Sequence, residues 1–358
     1  MMKKTISQCM IVKNEEKNIR RALSWGKDIM CEQIVVDTGS SDRTVEIARE
    51  MGAKIFFFPW INDFAAAKNF AIDQAKGDWI AFLDADESFT PEDTKKIPEI
   101  LEYVGDDVDG LLTGIVDLDE NNNITNGGTM IRFFVNRPEL RYVGKIHEHL
   151  VRKGRSGLHL TDATEQLAFL HTGYQEQEKK NKSKFERNLN IILEILKQDP
   201  ENCDYLGYLG DTYSSDGKNE EAKDAYKKAV AAMPEKLGVY DQRSSYTYTN
   251  LLRVSQCLNA PEAEVEAIYK EAVEKLPKEP DFDCVMGEWY WRKGQYEQTV
   301  QMYELAIAKL ETYGTVNRGI ITTSMLIQMY ECLGEGCRRL GEYQKAVRYC
   351  VIVLKTDH

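Results

Sequence analysis

Short apolar runs alternate with stretches of helical spacing from Thr5 to about Val116. The run ISQCMIV (6–12) predicts a strand, and Ile19, Ala22 and Leu23 put apolar residues on one side of a helix between Asn14 and Trp25. QIVVD (33–37) predicts a second buried strand, followed by the polar turn TGSSD and by RTVEIAREMG, a helix that Gly52 should terminate. KIFFF (54–58) predicts a third strand, broken by Pro59, and DFAAAKNFAIDQAKG (63–77) a helix closed by Gly77. WIAFL (79–83) is the fourth strand. This strand–helix–strand order implies a parallel sheet with right-handed crossovers and helices on its faces. Farther on, TGIVDL, NNNITNGG and TMIRFFV predict a β-hairpin or a longer excursion. RYVGKIHEHLV (141–151) then predicts an extended segment in which His147 and His149 alternate.

After Gly173 the pattern changes to continuous helix. Small and aromatic residues recur there in register: Leu209-Gly210, Tyr213, Gly217, Ala222, Tyr226, Ala229 and Pro234 first, then Gly287, Tyr290, Gly294, Tyr303 and Ala306. A further set holds Leu333-Gly334, Gly341, Tyr343 and Ala346, and a weaker run from Ser245 to Lys278, with Leu252, Tyr269, Ala272 and Pro277, fills the gap. These places match the tetratricopeptide pattern, in about four units of which one is degenerate. The small residues let paired helices approach, and the aromatic ones plug the groove between them. One unit cannot bury its apolar face alone, so stacking is obligatory and a concave groove results. Such a groove holds a peptide or another copy of the chain, or else the helices are a purely structural extension.

At 358 residues the chain is long enough for two domains. It is 42% hydrophobic and 29% charged, and no apolar run approaches the roughly 20 residues that cross a bilayer. The apolar stretch after Lys3 and Lys4 is too short and too soon interrupted for a signal peptide, so a cytoplasmic protein without a membrane span is expected. Eight cysteines contain no C-x-x-C pair, which predicts reduced, mostly packed thiols. A formal net charge of -12 argues against nucleic acid as a partner.

The carboxylates have their own pattern. In WIAFLDADES (79–88) an apolar strand runs directly into Asp84, Asp86 and Glu87. Other D-x-D pairs exist at Asp107/Asp109, Asp117/Asp119 and Asp281/Asp283, but the first two lie in polar, loop-like stretches and the last inside a repeat. Ligands of open α/β sheets sit beyond the carboxyl ends of the strands, where Asp37, Asp84 and Asp86 all fall. Two acidic groups spaced i, i+2 at a strand end can share one divalent cation with the oxygens of a diphosphate, because hard cations prefer oxygen ligands. The competing reading is a helix N-cap cluster, since Ser88 or Thr90 with Pro91 and Glu92 starts a helix; it accounts for Thr90 but not for Asp84.

CMIVKNEE, VVDTGSSDRT, NDFAAAKNFAI and FLDADE, in that order, resemble family 2 glycosyltransferases of the GT-A fold, over about residues 5–175. With YVGKIHEH and HTGY ahead of the repeats, the chain is similar to a bacterial subgroup that includes the peptide S-glycosyltransferases of glycosylated bacteriocins. The resemblance implies an α/β GT-A domain, Rossmann-like with a mostly parallel sheet (1–175), a linking helix (176–202) and an all-α tetratricopeptide solenoid (203–358). It places Asp37 at the nucleotide base, with Thr38 where many relatives carry a second aspartate. Lys68 falls at a basic nucleotide-site position, and Asp84, Ala85 and Asp86 form the D-x-D that holds ribose and metal. It further implies that Glu148 is the catalytic base and that His171 completes, with Asp86 and Asp84, the shell of a Mn²⁺ or Mg²⁺ ion. His147 either joins the chemistry or packs; His171 is otherwise a capping or interface histidine. Arg132 and Lys145 either clamp the diphosphate or are solvated charges. Gly127-Gly128 is a loop over the donor or a hairpin turn, and Asn62 and Asp63 either cap a helix or touch ligand.

Three functions follow. The first is a metal-dependent inverting hexosyltransferase that moves a sugar from a nucleotide sugar, expected to be a UDP-sugar, to a peptide or protein recruited by the repeats. In the second the acceptor is a lipid-linked or cell-envelope glycan and the repeats serve for homodimer formation or docking. The third is a binding scaffold without catalysis, against which stands the full set Asp37, Asp84, Asp86, Glu148 and His171.

Overall fold

The computed structural model describes residues 4–119, 121–172, 177–238, 241–314 and 319–356. The chain divides into two compact units, 1–184 and 185–358.

The first unit contains β1 (Ile6–Val12), α1 (Ile19–Ser24), β2 (Glu32–Asp37), α2 (Thr44–Glu50), β3 (Lys54–Phe57), α3 (Phe64–Asp73) and β4 (Trp79–Phe82). Then come β5 (Glu87–Phe89), α4 (Pro91–Tyr103), β6 (Gly110–Leu118), β7 (Ile124–Val135), β8 (Leu140–Val143), β9 (His149–Arg152), β10 (Leu160–Asp162) and β11 (Ala168–His171). One mixed sheet runs in the order β3-β2-β1-β4-β7-β6-β11-β5, with β10 beside β6, and β8 and β9 form a separate hairpin. As expected, β3, β2, β1 and β4 are parallel neighbours. The β6–β7 excursion is a true antiparallel hairpin whose return strand inserts beside β4.

Period-two alternation explains the layers. On β2, Ile34 and Val36 join the core with Ala65, Ala71 and Ile72 of α3, whereas Val35 points to the opposite core with Ile19, Leu23, Ile47 and Ala48 of α1 and α2. On β4, Ile80 and Phe82 share the α3 side, while Trp79 and Ala81 enter a third core with Phe89, Phe133 and Phe169. Both faces of the central strands are therefore covered, which is why their sequences are apolar runs rather than alternating ones.

Local chemistry corrects several expectations. Asn14 takes a positive φ of 57°, and its loop is laced to the one after β2: Ser41 N–H donates to Asn14 Oδ1 and Glu15 N–H to Thr44 Oγ1. Residues 14–18 thus serve as a loop partner, and α1 starts only at Ile19. Gly52 does end α2 in a left-handed turn, φ 87°. Gly77 does not close α3, which ends at Asp73; a side chain there would meet the Ser7 backbone nitrogen at 2.6 Å, so this glycine permits close approach to β1. His147 is not in an extended strand: it takes φ 54° in the turn joining β8 to β9. All eight cysteines are free, but only Cys9, Cys284, Cys332 and Cys337 are buried, fewer than expected.

The second unit is helical. After α5 (Gln177–Gln198) come α6 (Cys203–Ser215) and α7 (Asn219–Ala231), α8 (Gln242–Cys257) and α9 (Glu262–Lys275), α10 (Asp281–Arg292) and α11 (Tyr296–Tyr313), the short α12 (Ile320–Ser324), then α13 (Leu326–Arg339) and α14 (Tyr343–Thr356). A side chain at Gly210 would meet the Tyr226 ring at 2.4 Å and one at Gly287 the Tyr303 ring at 2.5 Å, so each glycine leaves the hole that a tyrosine of the following helix fills. Among the described residues no helix is long and apolar enough to cross a membrane. The expected Gly173 and Tyr174 of HTGY lie outside the described residues.

Candidate functional site

The carboxyl end of β4 opens into a short loop that turns back as β5. Asp84 N–H donates to Glu87 Oε2 at 3.0 Å, and the Glu87 carboxylate also receives the Arg132 guanidinium. Arg132 comes from β7, the antiparallel neighbour of β4, and its second carboxylate contact is Asp84 Oδ2 at 3.2 Å. Both Arg132 and Glu87 are buried, and the guanidinium lies 5.3 Å from the Phe169 ring centre. Burial pushes the Glu87 pKa up to about 7, with Asp84 adding to the shift and Arg132 opposing it. Asp84 is held below the ordinary carboxylate range: partial loss of water around it works the other way, and Lys68, Arg132 and His171 outweigh it.

Asp86 meets a different group. Thr172 donates to the Asp86 carbonyl from both N–H and Oγ1, at 3.1 Å each. This seats the end of β11 on the loop and brings His171 Nε2 to 3.5 Å from Asp86 Oδ2. The other ring nitrogen, Nδ1, is 2.8 Å from Oδ1 of buried Asp117, its register partner across the parallel β6–β11 ladder. The contact with Asp86 raises the His171 pKa to about 9, against the effect of burial and with Asp117 adding to it. A histidine held through one nitrogen by a buried carboxylate while the other faces an aspartate is the arrangement found around protein metal ligands. Asp86 and His171 fit a hard divalent cation that draws its remaining ligands from phosphate oxygens and water. Asp84 is turned toward Arg132, and among the described residues no set of three His, Cys, Asp or Glu groups is gathered closely enough to hold an ion alone.

Lys68 projects from α3 to the same end of the sheet. Its ammonium meets Glu148 Oε1 at 2.8 Å and lies 5.1 and 5.0 Å from the Phe82 and Tyr142 ring centres. Burial by itself would lower the Lys68 pKa, but Asp84, Tyr142 and Glu148 more than reverse this and hold it above the usual lysine range. Asp37 is 4% exposed at the end of β2, where it accepts N–H bonds from Gly39 at 3.2 Å and Ser40 at 3.1 Å.

The structure thus gathers Lys68, Glu148, Asp84, Arg132, Asp86 and His171 at the strand ends. It sets others apart. Ala85 packs into the core of α1 and α2. Lys145 is partly exposed, and its carbonyl accepts from Phe64 N–H. His147 and His149 are exposed on the hairpin. Asp63 is the N-cap of α3, accepting from Ala66 N–H, and Asn62 accepts from Trp60 Nε1. Gly127 and Gly128 lie within β7 rather than in a turn. Sequence reasoning set Asp117 aside as part of a polar, loop-like stretch, whereas it lies buried in β6; Tyr142 and the buried role of Glu87 it missed. TGIVDL carried the usable signal for Asp117: an acidic residue at the end of an apolar strand, as at Asp84.

Residues 7–157 match the model of glycosyl transferase family 2, and 205–235 match a tetratricopeptide repeat. The SPbeta prophage-derived glycosyltransferase SunS of Bacillus subtilis is 32% identical over 231 residues, 63% of this chain and 53% of that protein. A TPR repeat-containing protein of Synechococcus elongatus is 31% identical over 231 residues, 63% of this chain and 56% of that protein. The chain spans about half the length of these curated relatives. Among solved structures, S. aureus TarS 1-349 in complex with UDP-GlcNAc aligns with a TM-score of 0.42 at 15% identity, over 72% of this chain and 93% of that one. MamA aligns with a TM-score of 0.39 at 21% identity, over 50% of this chain and 92% of that one. The chain carries a domain of glycosyl transferase family 2, followed by a tetratricopeptide-repeat region.

Proposed function

We propose that the protein is a metal-dependent inverting glycosyltransferase that moves a sugar from a nucleotide sugar, a UDP-sugar by preference, to a peptide or protein held by the repeats. The observation that carries this reading is the pairing of Asp86 with His171 Nε2 at 3.5 Å, beyond the strand ends and beside the Lys68–Glu148 pair at 2.8 Å. Within it the transferase domain spans 1–175, the helix from 176 to 202 links, and the repeats run from 203 to 358. Asp37 faces the nucleotide base and Asp84 the ribose. Asp86 and His171 would hold a Mn²⁺ or Mg²⁺ ion, which would supply neutralising charge for a diphosphate leaving group. Lys68 and Arg132 put fixed positive charge in a buried setting, where it acts more strongly than in water.

Glu148 takes the proton of the acceptor nucleophile. Lys68 fixes the carboxylate through Oε1 at 2.8 Å. Inversion then needs one displacement, with the acceptor attacking the anomeric carbon as the diphosphate leaves from the opposite face.

The test is thermal stabilisation by a panel of nucleotide sugars with and without Mn²⁺, in wild type and Asp86→Asn. A ligand at 100 times its dissociation constant adds about 2.7 kcal/mol. Metal-dependent stabilisation by one UDP-sugar, lost in the variant, is the expected result. Absence of stabilisation by every donor would favour a scaffold that no longer catalyses.

A further inference from the structure

Glu148 sits on the turn of the β8–β9 hairpin, which is not part of the main sheet, so something else must fix its position against Lys68. The fastening lies on α3, next to Lys68 itself. Asn69 Nδ2 donates to the Tyr142 carbonyl at 2.9 Å, and Tyr142 N–H donates to Asn69 Oδ1 at 2.9 Å. The carboxamide thus takes the place of a neighbouring strand and satisfies both backbone groups of one β8 residue. Only asparagine has the donor and acceptor to do this on so short a stem. Two other bonds flank it: Phe64 N–H donates to the Lys145 carbonyl at 2.8 Å, and Arg141 pairs with Asp73 at 2.8 Å.

The consequence is geometric. Lys68 and Asn69 are consecutive on one helix; the first grips the side chain of Glu148 and the second the backbone of Tyr142, whose ring in turn lies against the Lys68 ammonium. We infer that Asn69 is a positioning residue: it sets the register of the β8–β9 hairpin on α3 and thereby the place of the Glu148 carboxylate. This rests on the proposed transferase function only where turnover is the readout; the strap itself is a property of the fold.

The experiment compares wild type, Asn69→Ala, Glu148→Gln and the double variant in hydrolysis of UDP-glucose, UDP-N-acetylglucosamine or UDP-galactose, whichever the wild type hydrolyses fastest. Amide exchange of residues 142–149 is followed in parallel. Asn69→Ala should lower kcat about tenfold or more with KM within about twofold, because displacing a catalytic group by about 1 Å costs on the order of 10²-fold. In the Glu148→Gln background the same change should cost less than about twofold, the non-additivity of residues acting as one unit. Exchange of 142–149 should quicken about tenfold while β1 stays protected. Effects that multiply in the double variant, or unchanged exchange at 142–149, overturn the assignment. Should Asn69→Ala not fold, Asp73→Ala at the exposed end of α3 replaces it, with the same non-additivity expected at about two- to threefold. A wild type that hydrolyses no donor counts against the function, and exchange alone then decides the strap.

Discussion

In the first unit the Lys68 ammonium meets Glu148 at 2.8 Å; in the second the Lys309 ammonium meets Asp283 at 2.6 Å. Chemically the pairs are alike, and both lysines are buried. Their surroundings differ. Asp283 lies on α10 and is fully enclosed; the Tyr269 phenol donates to it at 2.6 Å, and the same Lys309 reaches the Glu279 carbonyl at 3.3 Å. Buried Glu279 and Asp281 stand close by, but they accept from backbone N–H and hydroxyl groups of the repeats, so this cluster joins elements of one unit. Around Lys68 the neighbours are loop and strand-end carboxylates, some of them partly open, with more charge than packing requires. A buried ion pair is weak support for stability on its own. What separates the two is that the carboxylates around Lys309 are held by fixed N–H and hydroxyl groups, whereas Asp84 and Asp86 beside the other pair stay partly exposed.

The largest expected effect falls on function. Glu148→Gln should lower sugar transfer by roughly 10²- to 10⁴-fold, the usual contribution of a positioned base, while nucleotide-sugar binding followed by calorimetry stays within a few fold. Near-normal transfer would put the two lysine pairs in the same class. Next comes Lys309→Met, which leaves Asp283 enclosed without a counter-charge. It should cost about 3–5 kcal/mol in urea unfolding of the repeat unit without reducing donor turnover in the folded protein. Third is Gly287→Ala. Its new methyl group meets the Tyr303 ring at 2.5 Å, and overpacking of this kind costs about 1–3 kcal/mol. The smallest effects should match between the units: Thr90→Ala and Asn202→Ala each remove a side-chain N-cap and should cost about 0.5–2 kcal/mol, since capping is local and indifferent to what the unit does.

How much of this was legible depends on range. The strands β1 to β4 and the helix start at Thr90 are written in consecutive residues, so apolar runs and a cap with Pro91 behind it were enough. The repeats were legible because Gly210 and Tyr226 recur as Gly287 and Tyr303 at the same spacing. Asp86 and His171 were named from motif order and do come within 3.5 Å, whereas Asp84, named with them, is turned to Arg132. Asp117 escaped because its partner stands 54 residues away and the two meet only through the β6–β11 register. The bend at His147 escaped for a related reason: alternating residues around it suggest a strand, and only the closure of the hairpin demands φ 54°. Nor did local pattern show that residues 14–18 would be claimed by the Ser40–Thr44 loop rather than by α1. Glu87 was visible, but its burial under Arg132 depends on β7 inserting beside β4.

The glycine and the tyrosine of two of the repeats also tie their own substitution together. A side chain at Gly210 would press on the Tyr226 ring, so each position bears on what the other accepts. In the last helix pair Gly334 lies under a smaller partner, Cys350, whose sulfur would stand 2.9 Å from a new Cβ. In the weaker pair Arg253 stands where the glycine would fall, and Tyr269 is only partly buried. The glycine–tyrosine fit thus belongs to particular helix pairs, and a pair of the same kind packs without it.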